Sequence, residues 1–171
     1  MTTVGHALLG ASIGLTVLPR MPWLPLQLAL GVFVLLANLP DLPLTGWGHD
    51  RYELSHSLPV TAIGATLLAL VLRQLPLGSW RSAPVLAGLV LAWFSHLLLD
   101  TLYGHGLGLA MFWPFSEASL ALPLPWFDTL QPPGPDTRDH NLGVFRVEAL
   151  WWTPVLLLSM LWRRRVLRSA V

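Results

Sequence analysis

Cysteine occurs nowhere in the 171 residues. A disulfide framework and a thiolate metal site are therefore both excluded, and any bound metal must use nitrogen and oxygen donors. Lysine is absent too, so all ten basic side chains are arginines. Charge of either sign is scarce: Asp, Glu, Lys and Arg make up 11% of the chain, against about 25% in an ordinary globular domain. So little charge cannot cover a soluble surface of the usual kind. No repeat, low-complexity tract or linker divides the sequence, and residues 1–171 read as one domain. The N-terminal segment has no positively charged region of the sort that opens a cleavable signal peptide. Thr3–Leu18 is expected to be retained.

What is present is apolar. Hydrophobic residues make up 54% of the chain, and the mean hydropathy is +0.60. Five apolar stretches stand out as candidate spans: Thr3–Leu18, Trp23–Leu39, Ser57–Leu75, Ala83–Tyr103 and Val147–Trp162. A span needs about 20 such residues, with roughly 17–25 tolerated. The third and fourth fit; the other three are short, so their ends should sit in the headgroup layer or be shielded by protein. The expected fold is all-α, an integral membrane helical bundle of about five spans, because unpaired backbone cannot cross lipid. Trp23, Trp80, Trp151, Trp152 and Trp162 fall near span ends, where an aromatic belt belongs.

Threading the chain through these spans sorts its charges. All six histidines and all nine acidic residues fall toward one face, and seven of the ten arginines fall toward the other. Arg20, Arg73 and Arg81 lie in short turns, and Arg163, Arg164, Arg165 and Arg168 follow the last span. Short basic segments stay in the cytoplasm, which puts the N-terminus outside and the C-terminus inside. The arginine run reads as that anchor and not as a nucleic-acid site. A long extracytoplasmic loop, 104–146, separates the fourth and fifth spans. Its first part, with Phe112, Trp113, Phe115, Trp126 and Phe127, is expected to pack on the bundle or dip into the interface. Its proline-rich part, Gln131 to Asn141, is expected to be a flexible tip.

The outward face carries the chemistry. His96 and Asp100 are four apart, so a helix puts both on one face, where imidazole and carboxylate can share one hard or borderline cation. A hydrogen bond between the two is the plain alternative. His6 lies on the outer turn of the first span, Asp41 follows the second, and His56 begins the third between Ser55 and Ser57, either of which can cap that helix. Each has an ordinary reading as a bonded histidine or a turn residue. Four spans presenting His or Asp at one level point instead to a shared metal site. Glu148, one turn into the fifth span, either pairs with Arg146 or faces this cluster as ligand or general base. His105 and His140 are candidates for a second metal position; His49 and Glu53 carry no assigned role.

These residues, taken together, resemble a family. His6 with its small-residue helix, Leu39-Pro40-Asp41, Ser55-His56-Ser57, His96-Leu97-Leu98-Leu99-Asp100 and Phe112-Trp113-Pro114-Phe115-Ser116 are similar, in this order, to the YdjM-like inner-membrane metal-dependent hydrolases. That family is distantly similar to zinc-dependent phospholipase C and P1 nuclease, whose helical bundles hold zinc on histidine and aspartate. The resemblance implies an inner-membrane location and metal ligands at His6, Asp41, His56, His96 and Asp100, with His105 near a further ligand. Two positions depart from the pattern. Val144 stands where the soluble enzymes have a histidine four before the glutamate, and Arg51-Tyr52 where many members have His-Arg. One or two ions, and not three, follow from that.

Two functions remain open. The first is an outward-facing hydrolase of a phosphoester or lipid-headgroup substrate, using one or two Zn²⁺ or other divalent ions, with Asp100 or Glu148 taking the proton of water. The second is a non-enzymatic membrane protein whose cluster is structural or binds or senses metal ions. Membrane lipids are partners in either case, and nucleic acid is not.

Overall fold

Thr2 starts the first helix by accepting the Gly5 N–H on its hydroxyl at 3.4 Å, which satisfies one of the donors a helix start leaves unpaired. α1 spans Thr3–Val17, α2 Leu26–Asn38, α3 Tyr52–Ser55, α4 Leu58–Gln74, α5 Ala83–Asp100 and α6 Arg138–Ser169, with 3₁₀ turns at Leu39–Asp41, Gly48–Arg51 and Gly78–Arg81. Proline marks the helix starts. Pro25 precedes α2, and Pro59 and Pro84 sit in the first turns of α4 and α5, where a missing N–H costs no intrahelical bond. The computed structural model describes residues 1–19, 25–103, 108–122 and 127–169; Arg20, Trp23, His105 and Trp126 lie outside them. No strand occurs among the described residues, so the fold is all-helical.

α5 and α6 are each long and apolar enough to cross a membrane. Gly48–Ser55 and Leu58–Gln74, bent by 92°, make a third if they are one span, while α1 and Leu26–Asp41 are shorter apolar helices. The expected long loop ends early, because α6 begins at Arg138 and runs 32 residues through Pro154. Its segment before Val147 is polar, which hides it from a hydropathy reading. The expected flexible tip is a closed turn: the Gln131 N–H donates to Asn141 Oδ1 at 2.8 Å and Asn141 Nδ2 donates to Gln131 O at 3.0 Å.

The apolar part of the loop is tied to the bundle. Leu109 and Leu120 exchange backbone bonds, Leu58 N donates to Met111 O at 2.7 Å, and Leu122 N donates to Thr101 O at 2.9 Å. Phe112 and Phe115 stay exposed.

The core sits where α1, α2, α4 and α5 meet, around Phe33, Val85, Leu89 and Trp93. Trp80, expected in the aromatic belt, is buried there beside Phe33. Its short turn folds it under the bundle and not outward. Trp151 and Trp162 are exposed. α1 approaches α2 through Gly10 and Gly14, the small-x-x-x-small spacing that lets membrane helices meet closely. A Cβ on Gly10 would lie 2.7 Å from the Phe33 carbonyl oxygen, which is backbone and cannot swing away. Gly10→Ala should therefore cost about 1–3 kcal/mol, read as a lower melting temperature; an unchanged one contradicts this packing.

α6 lies along α1 and runs parallel to it. Near α6's start Glu148 meets Thr2. Fifteen residues on, the Arg163 guanidinium donates to the carbonyls of Leu15, Leu18 and Pro19, where a cation is favoured by the exposed carbonyls of a helix end. Arginine thus closes one end of α1, and the histidines and carboxylates gather at the other.

Candidate metal centre

Four side chains from three parts of the chain converge on one spot, and each is delivered there for a local reason. The 3₁₀ turn Leu39–Asp41 ends α2 at Pro40 and turns the Asp41 carboxylate inward. α5 places His96 and Asp100 one turn apart at its final turns. His56 sits in the break between α3 and α4, where the chain changes direction by 92°.

The atoms they present are closely spaced. His56 Nε2 stands 3.2 Å from His96 Nε2 and 3.2 Å from Asp41 Oδ1. His96 Nε2 stands 3.3 Å from Asp100 Oδ2 and 3.6 Å from Asp41 Oδ1, and His56 Nε2 to Asp100 Oδ2 is 3.6 Å. Donors held at about 2.0–2.1 Å from Zn²⁺ stand roughly 3.3 Å apart along the edges of a tetrahedron. The spacing of the four groups fits one ion of that size.

Hydrogen bonding on the far side of each ring sharpens this. His96 Nδ1 is 2.8 Å from Ala37 O. A carbonyl only accepts, so Nδ1 carries a proton, and in the neutral ring the Nε2 lone pair faces the cluster. His56 Nδ1 is 2.8 Å from Ser55 Oγ. That hydroxyl donates to Gly48 O at 3.2 Å, leaving its lone pairs to accept from Nδ1–H. Two ring lone pairs and two carboxylate oxygens therefore point at one another in a buried site. One proton can serve one or two of these contacts; a dication serves all four. Orienting partners of this kind are typical of metal-bound histidines.

Neither serine caps α4 as expected: Ser57 Oγ donates to Leu54 O at 3.3 Å, and Ser55 holds His56. Ser55→Ala should lower metal affinity roughly 10–100-fold, the usual cost of losing such a partner, measured by competition with a chelator. An unchanged affinity contradicts the Ser55 assignment.

His6 lies beside this group and outside it. Its ring stacks on His96 with centroids 3.8 Å apart, and its Nε2 reaches the other oxygen of Asp100, Oδ1, at 3.1 Å. The Met1 α-amino group meets the same oxygen at 2.5 Å. His6 Nδ1 is buried without a hydrogen-bond partner. Asp100 thus faces the two histidine Nε2 atoms with Oδ2, and His6 and the Met1 amine with Oδ1.

Glu148 is fully buried and turned away from Arg146, which is exposed. Its carboxylate accepts the Thr2 N–H at 2.8 Å and the hydroxyls of Thr2 and Tyr103. It fixes the start of α1, the helix that carries His6. The remaining sequence candidates stand apart. His140 Nε2 is 2.9 Å from Thr129 O at the start of α6, Glu53 pairs with Arg51 at 3.8 Å, and His105 lies outside the described residues.

A cleft of about 320 Å³ opens over Asp41 and Asp100, with His49, Tyr52, Tyr103, Thr129 and Leu130 in its walls. The sequence reading missed Tyr52, whose ring stacks on His56 at 3.9 Å. Only its place four residues before His56 signalled it. Ala37, Thr2 and Tyr103 were missed as well, and nothing in their sequence context marks them.

A family model described as YdjM inner membrane protein matches residues 1–166. No curated protein and no solved structure matches the chain, and the more distant likeness to phospholipase C and P1 nuclease gains no support from either.

Proposed function

The chain belongs to the YdjM inner membrane protein family, and from that premise we propose that it is a membrane-embedded metal-dependent hydrolase acting at the outward surface. The observation that carries this reading is the meeting of four acceptor atoms from Asp41, His56, His96 and Asp100 at the floor of an open cleft. These residues would hold one divalent ion, Zn²⁺ by donor type, and His6 with Asp100 Oδ1 would offer a second position where the Met1 amine now meets that oxygen. A bound dication lowers the pKa of a coordinated water to about 7 and polarises the oxygen of the bond to be cleaved.

The chain's own groups do the rest. Asp100, buried at the floor of the cleft, would take the proton of the attacking water. His56 and His96 keep their Nε2 lone pairs aimed inward through Ser55 and Ala37. Glu148, with its oxygens engaged by Thr2 and Tyr103, positions α1 in this reading and leaves base chemistry to Asp100. Five segments cross the bilayer, the short α1 packing on α2, α5 and α6 and the short α2 on α1 and α5. The arginine end lies inside.

A phosphoester or ester at headgroup depth fits a cleft that opens beside an apolar loop. Purified protein in lipid nanodiscs should hydrolyse a member of a panel of lipid and soluble phosphoesters and esters. The activity should be lost in EDTA and in Asp100→Asn. Stoichiometric metal with no hydrolysis of any panel member would favour the second reading, a metal-holding protein without catalysis. One observation leans that way, since the cluster knits α2, α4, α5 and, through His6, α1.

A further inference from the structure

His49 is an exposed imidazole that the metal centre does not use, and the chain builds a rigid loop to hold it. Gly46 and Gly48 adopt positive φ of 72° and 60°, a region that side chains rarely enter. A Cβ on Gly48 would sit 2.4 Å from Leu42 O. The Gly46 N–H donates to Asp50 Oδ2 at 2.7 Å, and Trp47 Nε1 donates to Leu39 O at 2.7 Å. That last bond ties the loop to the same turn that carries Asp41. Ser55 Oγ adds a bond to Gly48 O, so the loop and the His56 support share one anchor. The His49 ring lies nearly parallel to Tyr52, which stacks on His56. Its Nε2 ends 3.9 Å from Asp41 Oδ1, with the side chain 77% exposed and in the wall of the cleft.

The cleft's chemistry says what such a group is for. Asp41 and Asp100 between them cancel the charge of one dication, leaving no surplus positive charge for an anionic substrate. Among the described residues no arginine lines the cleft; its other walls are hydroxyls and one leucine, and the Met1 amine is taken by Asp100. Among the described residues His49 is the one lining side chain that carries an N–H. Resting on the function proposed above, we infer that His49 is a substrate-binding residue, donating its N–H to an anionic oxygen of a phosphoester lying over Asp41.

The test uses full-length protein in detergent, loaded with Co²⁺ as a visible probe and titrated with inorganic phosphate. His49→Phe keeps the ring beside Tyr52 and removes the donor; His49→Gln keeps a donor. The phosphate Kd should rise about tenfold in His49→Phe, the loss expected for one hydrogen bond to a charged group. It should return close to the wild-type value in His49→Gln, with cobalt content equal in all three. Unchanged phosphate affinity in His49→Phe, or no recovery in His49→Gln, overturns the inference and leaves the metal centre standing. Failure of the wild type to take up cobalt overturns both.

Discussion

His96→Ala should leave the purified protein essentially without divalent metal, whereas the wild type keeps about one ion per chain through the same preparation. The loss should exceed the roughly 10–100-fold drop in affinity that follows removal of an outer-shell partner, because His96 Nε2 lies within 3.6 Å of three other donors in the cluster. A stability effect follows from linkage. At free metal a hundredfold above Kd, binding stabilises the folded state by about 2.7 kcal/mol. EDTA should therefore lower the wild-type melting temperature and leave that of His96→Ala unmoved. A network held by hydrogen bonds alone gives the opposite pattern, with a wild type indifferent to EDTA.

Glu148→Leu should be the most destabilising single change away from the cluster. It removes the acceptor of the Tyr103 hydroxyl and leaves the Thr2 N–H and the Thr2 hydroxyl buried without theirs. Each unmet group costs about 1–3 kcal/mol, so a loss of about 2 kcal/mol or more is expected from the two Thr2 groups. Tyr103→Phe breaks the same Glu148–Tyr103 bond from its other side, so the double variant should lose less than the sum of the two single changes. The melting temperature in detergent reads this out, with metal content measured on the fraction that stays folded. That folded fraction should bind metal, since Glu148 positions α1 and is not among the four grouped donors. A Glu148→Leu protein as stable as the wild type but free of metal would make Glu148 a ligand instead.

The sequence placed α1, α4 and the start of α5 within about a residue of their ends, because apolar runs bounded by proline leave little choice in a chain with so little charge. It placed α6 poorly: Arg138-Asp139-His140-Asn141 is helical but polar, so apolar content alone could not find it. His96 and Asp100 were legible because a four-residue interval fixes a shared helix face. Asp41 and His56 were legible because several spans brought ionisable groups to one level. The function of Ser55 was not, since a serine at a helix start looks like a cap. What turns it toward His56 is the 92° break between α3 and α4, which no local pattern encodes. Glu148 was noticed as a buried carboxylate, but its partners are 146 and 45 residues away, and such distances leave no periodic trace. His49 escaped for a related reason. Its worth depends on two left-handed glycines and on the Trp47 bond to Leu39 O.

X-ray absorption at the edge of the metal that co-purifies with the wild-type protein reports directly on the donors around that ion. The account predicts a first shell of nitrogen and oxygen at about 2.0–2.1 Å, with the outer scattering of two imidazole rings that disappears in part when His56 or His96 is replaced. A shell without imidazole scattering, or protein that yields no edge of any divalent transition metal, would contradict it.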